Sequence, residues 1–184
     1  MLISLLEILY MSITILVIGY IFMSFLKVPD TDYFKKKRFD WKAFKLAILV
    51  AAPGVILHEL AHKFVAMGFG YSATFEIFFF GLFLGLFLKW IKSPFLIIAP
   101  GAVVIPAMTI GWQTGIIAFA GPFVNLVLWL GSWLILNRAR HLKRNTAIIL
   151  LLTQKINMIL FIFNMIPLGP FDGAKVLQGI ISLF

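Results

Sequence analysis

Long apolar stretches separated by short polar or basic segments set the pattern of this chain. Four of them are long enough to cross a bilayer as helices, which takes about 20 residues; they cover residues 2–26, 46–67, 116–136 and 146–166. Few charged residues interrupt these stretches. The pattern therefore predicts four transmembrane helices.

The segment between the second and third predicted helices follows a different pattern. Residues 77–90 are apolar but too few for a full crossing of about 20 residues, so they predict a short re-entrant or spanning segment. Residues 71–80 have strand-like content, and residues 95–108 combine prolines with β-branched side chains, which favours extended chain with turns. The expected fold class is an α-helical polytopic membrane protein with four transmembrane helices, that short apolar segment and a small extended (β) region.

Composition narrows the class further. Hydrophobic residues make up 62% of the chain and charged residues 12%, against about 25% charged in soluble proteins. We therefore expect residues 1–184 to form a single membrane-embedded domain of an integral, multi-pass protein of the cell membrane. The formal net charge of +9 is concentrated in residues 27–45 and 137–145. Such segments flank membrane helices and contact lipid headgroups, so they do not indicate nucleic-acid binding.

The second apolar stretch contains the residues that point to chemistry, His58-Glu59-Leu60-Ala61-His62. In a helix, residues four apart lie on one face, so both imidazoles can reach a single metal ion. Glu59 is turned about 100° from His58, where it can take a proton from a water activated by that metal without being a ligand. The alternative is a pair of core histidines beside a paired glutamate, but three ionisable groups at mid-membrane depth are costly without partners.

A catalytic zinc ion needs a third protein ligand, and the chain has no cysteine to supply it. Glu76 and Asp172 are the carboxylates at plausible membrane depth. Glu76 would complete a site of two histidines and one glutamate. Asp172 lies between Pro170 and Gly173, where an irregular backbone can hold one carboxylate in place, yet it could equally cap a short final helix over residues 174–184. The residues alone leave these alternatives open.

The sequence resembles the site-2 proteases, which are intramembrane zinc metalloproteases. That family has an H-E-x-x-H motif and an N-x-x-P-x-x-P-x-D-G-like segment, matched here by residues 58–62 and 164–173. Residues 119–125 look like the family's G-P-x-x-N element. The three matches follow the family's order and extend from the second apolar stretch to the end of the chain.

The resemblance implies that His58, His62 and Asp172 bind one zinc ion per chain and that Glu59 is the general base. The sequence departs from the family's pattern in three ways. The apolar segment 77–90 is unexpected, one glycine follows the aspartate where the family has two, and no PDZ-like or CBS-like regulatory domain is recognisable.

One amide in the third apolar stretch is a candidate for stabilising an oxyanion. Asn125 could donate a hydrogen bond to the oxygen that becomes charged during peptide hydrolysis, and such a donor can be worth roughly 3 kcal/mol. Equally, it could form a hydrogen bond between helices, worth about 0.6 to 2 kcal/mol. We expect Asn164 to support the backbone before Pro167.

These features predict an intramembrane zinc metalloprotease that hydrolyses peptide bonds of transmembrane-helix substrates, with Glu59 as general base. Its partners would be a membrane-spanning protein substrate and the lipid bilayer. Unwound substrate could pair with residues 71–80 or 97–105 by strand addition. The alternative is a zinc transporter or a catalytically silent metal-binding scaffold, in which Glu59 would have no use.

Overall fold

The computed structural model describes residues 2–26, 39–93, 101–105 and 111–184. In chain order, the elements in these ranges are α1 (Leu5–Phe22), α2 (Trp41–Gly68), β1 (Thr74–Ile77), α3 (Phe79–Trp90), β2 (Gly101–Val104), α4 (Trp112–Arg138), α5 (Arg144–Asn164) and α6 (Asp172–Ile181). The basic residues of 27–38 and the proline-containing segments 94–100 and 106–110, to which the sequence assigned connecting or extended structure, lie outside the described residues.

Four helices of the described chain, α1, α2, α4 and α5, are long and apolar enough to cross a membrane. They confirm the predicted α-helical polytopic fold class. The helix that carries the H-E-x-x-H motif begins at Trp41, earlier than the apolar pattern predicted, because the Asp40 side chain caps it by accepting a 2.9 Å hydrogen bond from the amide of Ala43.

The motif helix α2 runs as one element through Pro53. Proline has no amide hydrogen, so the helical bond to the carbonyl of Leu49 is missing there. Gly54 is buried against α5, and a Cβ at this position would lie only 2.6 Å from Oδ1 of Asn157. The glycine therefore allows α2 and α5 to approach closely one turn before His58.

The short apolar segment forms α3, a helix of 12 residues and therefore roughly 18 Å long. The hydrocarbon core of a bilayer is about 30 Å thick, so α3 is too short to cross it. Phenylalanines dominate its outer face, with Phe79 73% and Phe83 66% exposed. This face is suited to lipid contact, as in a re-entrant or interfacial helix.

The predicted extended region is a two-stranded antiparallel sheet in the described chain. Phe75 of β1 lies opposite Val103 of β2, and Ile77 lies opposite Gly101. The buried ring of Phe75 covers Gly101, where a Cβ would come within 2.5 Å of a ring carbon. This close contact packs the two neighbouring strands tightly. The strand β1 is shorter than the segment 71–80 that the sequence pattern indicated, and of residues 95–108 the structure describes only 101–105.

The helix α4 lies at the centre and packs against α2, α5 and α6. Its contact with α6 depends on small residues, since a Cβ on Gly179 would lie 2.5 Å from the Cα of Gly115. The final helix predicted from residue 174 begins at Asp172. The packing of α6 on α4 brings that first residue next to the motif helix.

The number of crossings can be tested by labelling, because the chain has no cysteine of its own. We predict that single cysteines in Lys42→Cys and His141→Cys are labelled from the same side of the membrane, since α2 and α4 are the helices of spanning length between them in the described ranges. A cysteine in Ser72→Cys should be labelled from the other side. The measurement is reaction with an impermeant maleimide on sealed vesicles. Labelling of residues 42 and 141 from opposite sides would show that α3 crosses the bilayer.

Candidate metal centre

Two helices bring three potential metal ligands together. His58 and His62 come from α2, and Asp172 is the first residue of α6. Asp172 Oδ2 lies 3.1 Å from His58 Nε2 and 3.3 Å from His62 Nε2, while the two Nε2 atoms are 3.0 Å apart. One ligand atom from each residue falls within 4.8 Å of the others. The group could therefore hold one metal ion.

The outer nitrogens of both imidazoles are held by acceptors. Nδ1 of His58 lies 2.6 Å from Oδ1 of Asn125, and Nδ1 of His62 lies 2.7 Å from the carbonyl oxygen of Ile117. In a metal site each Nδ1 would carry the proton and each Nε2 lone pair would face the metal. This arrangement orients histidine ligands in known zinc centres.

A glycine of α4 leaves space for a metal ion in front of the two imidazoles. A Cβ at Gly121 would lie 2.6 Å from Nε2 of His58 and closer still to Nε2 of His62. Two imidazole nitrogens and one carboxylate oxygen are also the donor set of a common class of catalytic zinc sites. The residues present therefore fit zinc in both chemistry and space.

The structure separates the two candidates for the third ligand. Glu76 lies in β1 opposite Ala102, with its side chain exposed, and it is not part of the ligand group found among the described residues. Asp172 belongs to that group and does not cap α6, whose N-cap is Phe171 with no side-chain hydrogen bond. The geometry thus assembles Asp172, and not Glu76, with the two histidines.

The charge of Asp172 suits a metal ligand. Burial alone would raise the pKa of this carboxyl, but hydrogen bonding to the rings of His58 and His62 outweighs it and holds the pKa below its usual range. The group is therefore ionised at neutral pH, as metal binding requires.

Glu59 lies in the wall of a cavity of about 570 Å³ that reaches the ligand group. Its side chain is partly exposed, and its carboxylate makes no hydrogen bond to any residue in the described ranges. Asn164 and Lys175 line the same cavity. A carboxylate next to the metal position, open to a space large enough for water and substrate, can act as a proton acceptor.

Asn125 lies behind the imidazole of His58, away from this opening. It is completely buried. Besides facing Nδ1 of His58, its amide nitrogen donates to the carbonyl oxygen of Gly54 at 3.0 Å and to Oδ1 of Asn157 at 2.9 Å. Both amide hydrogens are therefore engaged, and none is left for an oxyanion. The geometry corresponds to the helix-to-helix hydrogen bond that the sequence left open as the alternative.

Two proteins, each carrying the name "putative zinc metalloprotease", match the chain. The one from Methanocaldococcus jannaschii is 33% identical over 175 residues, which cover 94% of this chain and 83% of that protein. This chain belongs to the zinc metalloprotease family. The other, from Synechocystis sp., is 32% identical over 142 residues, covering 77% of this chain and 32% of that longer protein. No family model and no solved structure matches the chain.

Family membership and the ligand group together identify zinc as the cofactor of this metalloprotease. His58, His62 and Asp172 form a group that could bind one metal ion. The four long apolar helices are those of an integral membrane protein.

Sequence reasoning missed one polar residue behind the metal centre of this zinc metalloprotease. Asn157 of α5 is completely buried, accepts the hydrogen bond from Asn125 and donates to the carbonyl oxygen of Thr153 at 2.8 Å. The available signal was a single amide within an otherwise apolar predicted helix, because such groups need a partner at membrane depth. Its partner lies on another helix, which the sequence does not show.

We predict that Asp172→Ala lowers zinc affinity strongly, because only two of the three protein ligands remain. The loss should exceed the roughly 10- to 100-fold that follows removal of a residue hydrogen-bonded to a metal ligand. Glu76→Ala is the matched control and should keep about one zinc per chain. Metal analysis after dialysis against a weak chelator measures both. Full zinc content in Asp172→Ala, with loss in Glu76→Ala, would contradict the assembled ligand group.

The space at Gly121 gives an independent test. Gly121→Ala should abolish zinc binding, because the added methyl group would occupy the position that the two Nε2 atoms face. Gly131→Ala lies on the same helix with nothing within 4 Å of the added Cβ, so it should keep zinc and be as stable or slightly more stable. Isothermal titration with zinc compares the two variants. Equal affinity in both would show that the metal does not bind next to Gly121.

Proposed function

We propose that this zinc metalloprotease is an intramembrane protease of the site-2 type, which hydrolyses peptide bonds of transmembrane-helix substrates inside the membrane. The observation that carries the proposal is the depth of the ligand group within a helix of membrane-spanning length. His58 lies 17 residues after Trp41, the first residue of α2, or roughly 26 Å along an axis of about 42 Å. A substrate that reaches Glu59 must therefore enter the membrane-embedded part of the protein.

The three sequence motifs also support the site-2 type by their contacts. The G-P-x-x-N element provides Gly121, which leaves room at the imidazoles, and Asn125, which contacts His58. The segment 164–173 provides Asp172. All three motifs thus meet at one point, although the first and last are far apart along the chain.

In the proposed reaction His58, His62 and Asp172 hold the zinc ion. When bound, zinc would supply a Lewis acid that brings the pKa of water toward ~7 and polarises a peptide carbonyl. Glu59 accepts a proton from the attacking water and returns it to the leaving nitrogen as the C–N bond breaks. The products are a new carboxyl terminus and a new amino terminus.

Asn125 and Asn157 act as positioning residues in this proposal. Asn125 holds Nδ1 of His58, and Asn157 holds Asn125 in the orientation that presents its carbonyl oxygen to the imidazole. The chain of hydrogen bonds continues to the backbone of Thr153 on α5. It fixes the ring orientation of one zinc ligand from a second helix.

The edge of β2 is the surface that we propose for unwound substrate. Gly101, Ala102 and Val103 line the cavity. The amide of Phe75, which lies opposite Val103, points away from β2, so the pair is not hydrogen-bonded and the backbone groups of Val103 face the outer edge. In the described chain no other strand pairs with that edge. Substrate backbone could be added there as a third strand.

We further propose that residues 1–184 act as one membrane-embedded domain in the cell membrane, with a membrane-spanning protein as substrate. The position of Glu59 in the wall of the cavity favours a protease over a zinc transporter or a catalytically silent scaffold. In either of those, this carboxylate would have no use.

The test replaces the base alone. Glu59→Gln should keep about one zinc per chain but lose cleavage by roughly 10²- to 10⁴-fold, since the amide cannot accept the proton. Zinc content and cleavage of a single-span helical substrate in vesicles are measured together. Glu76→Gln, the same change on an exposed glutamate, should resemble the unmodified protein. Full cleavage by Glu59→Gln would overturn the assignment of the base.

A further inference from the structure

A buried ion pair joins α1 to the motif helix α2. Lys63 directly follows His62 and is only 1% exposed, while Glu7, in the first turn of α1, is 5% exposed. The Lys63 ammonium donates to Oε1 of Glu7. Charges at such depth are costly, and replacing a buried pair with apolar side chains is often neutral or stabilising. Their presence here calls for a role other than stability.

The carboxylate of Glu7 also holds a strand. Its Oε1 accepts a 2.8 Å hydrogen bond from the amide of Phe75 in β1. Its Oε2 accepts a 2.8 Å hydrogen bond from the amide of Ser4, whose hydroxyl in turn accepts from the amide of Glu7. The carboxylate is therefore fixed on both oxygens and cannot rotate freely.

The strand β1, which Glu7 holds, pairs with β2, and β2 lines the cavity. The ring of Phe75 covers Gly101, and Gly101 and Val103 of β2 line the cavity beside the ligand group. Lys63 belongs to the same helix as both histidines. The Glu7 carboxylate therefore connects β1 directly to the helix that carries two of the metal ligands.

We propose that the Glu7–Lys63 pair is a positioning device that fixes the β1–β2 sheet relative to the metal ligands on α2. An apolar pair could fill the same volume, but it could not accept the hydrogen bond from Phe75. The consequence for substrate rests on the function proposed above, in which the edge of β2 receives the substrate backbone.

The decisive variant removes both charges at once, Glu7→Met with Lys63→Met. Methionine is unbranched and flexible, so it can fill the space of either side chain. Each single change leaves one buried group unpaired and should therefore lower the thermal stability more than the double change. In the double variant we expect about one zinc per chain, as in the parent.

The position of the sheet can be measured without catalysis. Spin labels on cysteines at Leu49 of α2 and Val104 of β2, both exposed positions, report the distance between helix and sheet in a chain that has no other cysteine. The parent should give one narrow distance distribution. The double variant should give a broader or shifted distribution, and its kcat/KM for a single-span substrate should fall roughly a hundredfold, as expected for a displaced substrate.

Thr14→Val is the matched control on α1. Thr14 is fully buried and its hydroxyl has no hydrogen-bond partner in the described structure, so this variant should keep the parent distance distribution and activity. An unchanged distribution in the double variant would overturn the proposal, as would loss of zinc together with unfolding, which would indicate a general role in folding. A parent that binds zinc but cleaves no membrane substrate would contradict the proposed function and leave the distance result standing.

Discussion

The candidate metal centre requires two imidazoles and one carboxylate to converge at a single point among packed helices. His58 and His62 are positioned by one helix, but Asp172 is 114 residues away from His58 and is brought to it by the packing of α6 on α4 and of α4 on α2. Small residues make that packing possible. Gly121 leaves the space in front of the histidines, and Gly115 and Gly179 let α4 and α6 touch.

The polar groups around this point form two separate systems. Behind the histidines, Asn125 and Asn157 link α2, α4 and α5 through hydrogen bonds that end on the backbone. In the second system, Glu7 and Lys63 link α1 and α2 to the sheet. The hydrocarbon core of a bilayer contains no water that could form hydrogen bonds with these groups, so their partners must come from the protein. Those partners also fix the relative positions of the elements.

The features that were predicted correctly from the sequence are those that depend on the local pattern of residues. Apolar stretches of spanning length predicted the four long helices, and four-residue spacing predicted that His58 and His62 share a face. The choice between Glu76 and Asp172 depended on how α6 packs, which no local pattern contains. The engagement of both Asn125 amide hydrogens and the pairing of Glu7 with Lys63 were likewise beyond reach, since each requires a partner on another helix. The resemblance to site-2 proteases pointed to Asp172 in advance, as did the position of Glu76 soon after Gly68 and Gly70, from which a return to mid-membrane depth is difficult.

The position of the bond that is cut shows whether the zinc centre acts inside the membrane. The protein is reconstituted in vesicles with a single-span substrate in ¹⁸O-labelled water, and the products are sequenced by mass spectrometry. We predict a new carboxyl terminus that carries the heavy oxygen and lies within the apolar span of the substrate. Cleavage confined to the flanking polar segments, or no cleavage by protein that holds its full zinc, would contradict this prediction.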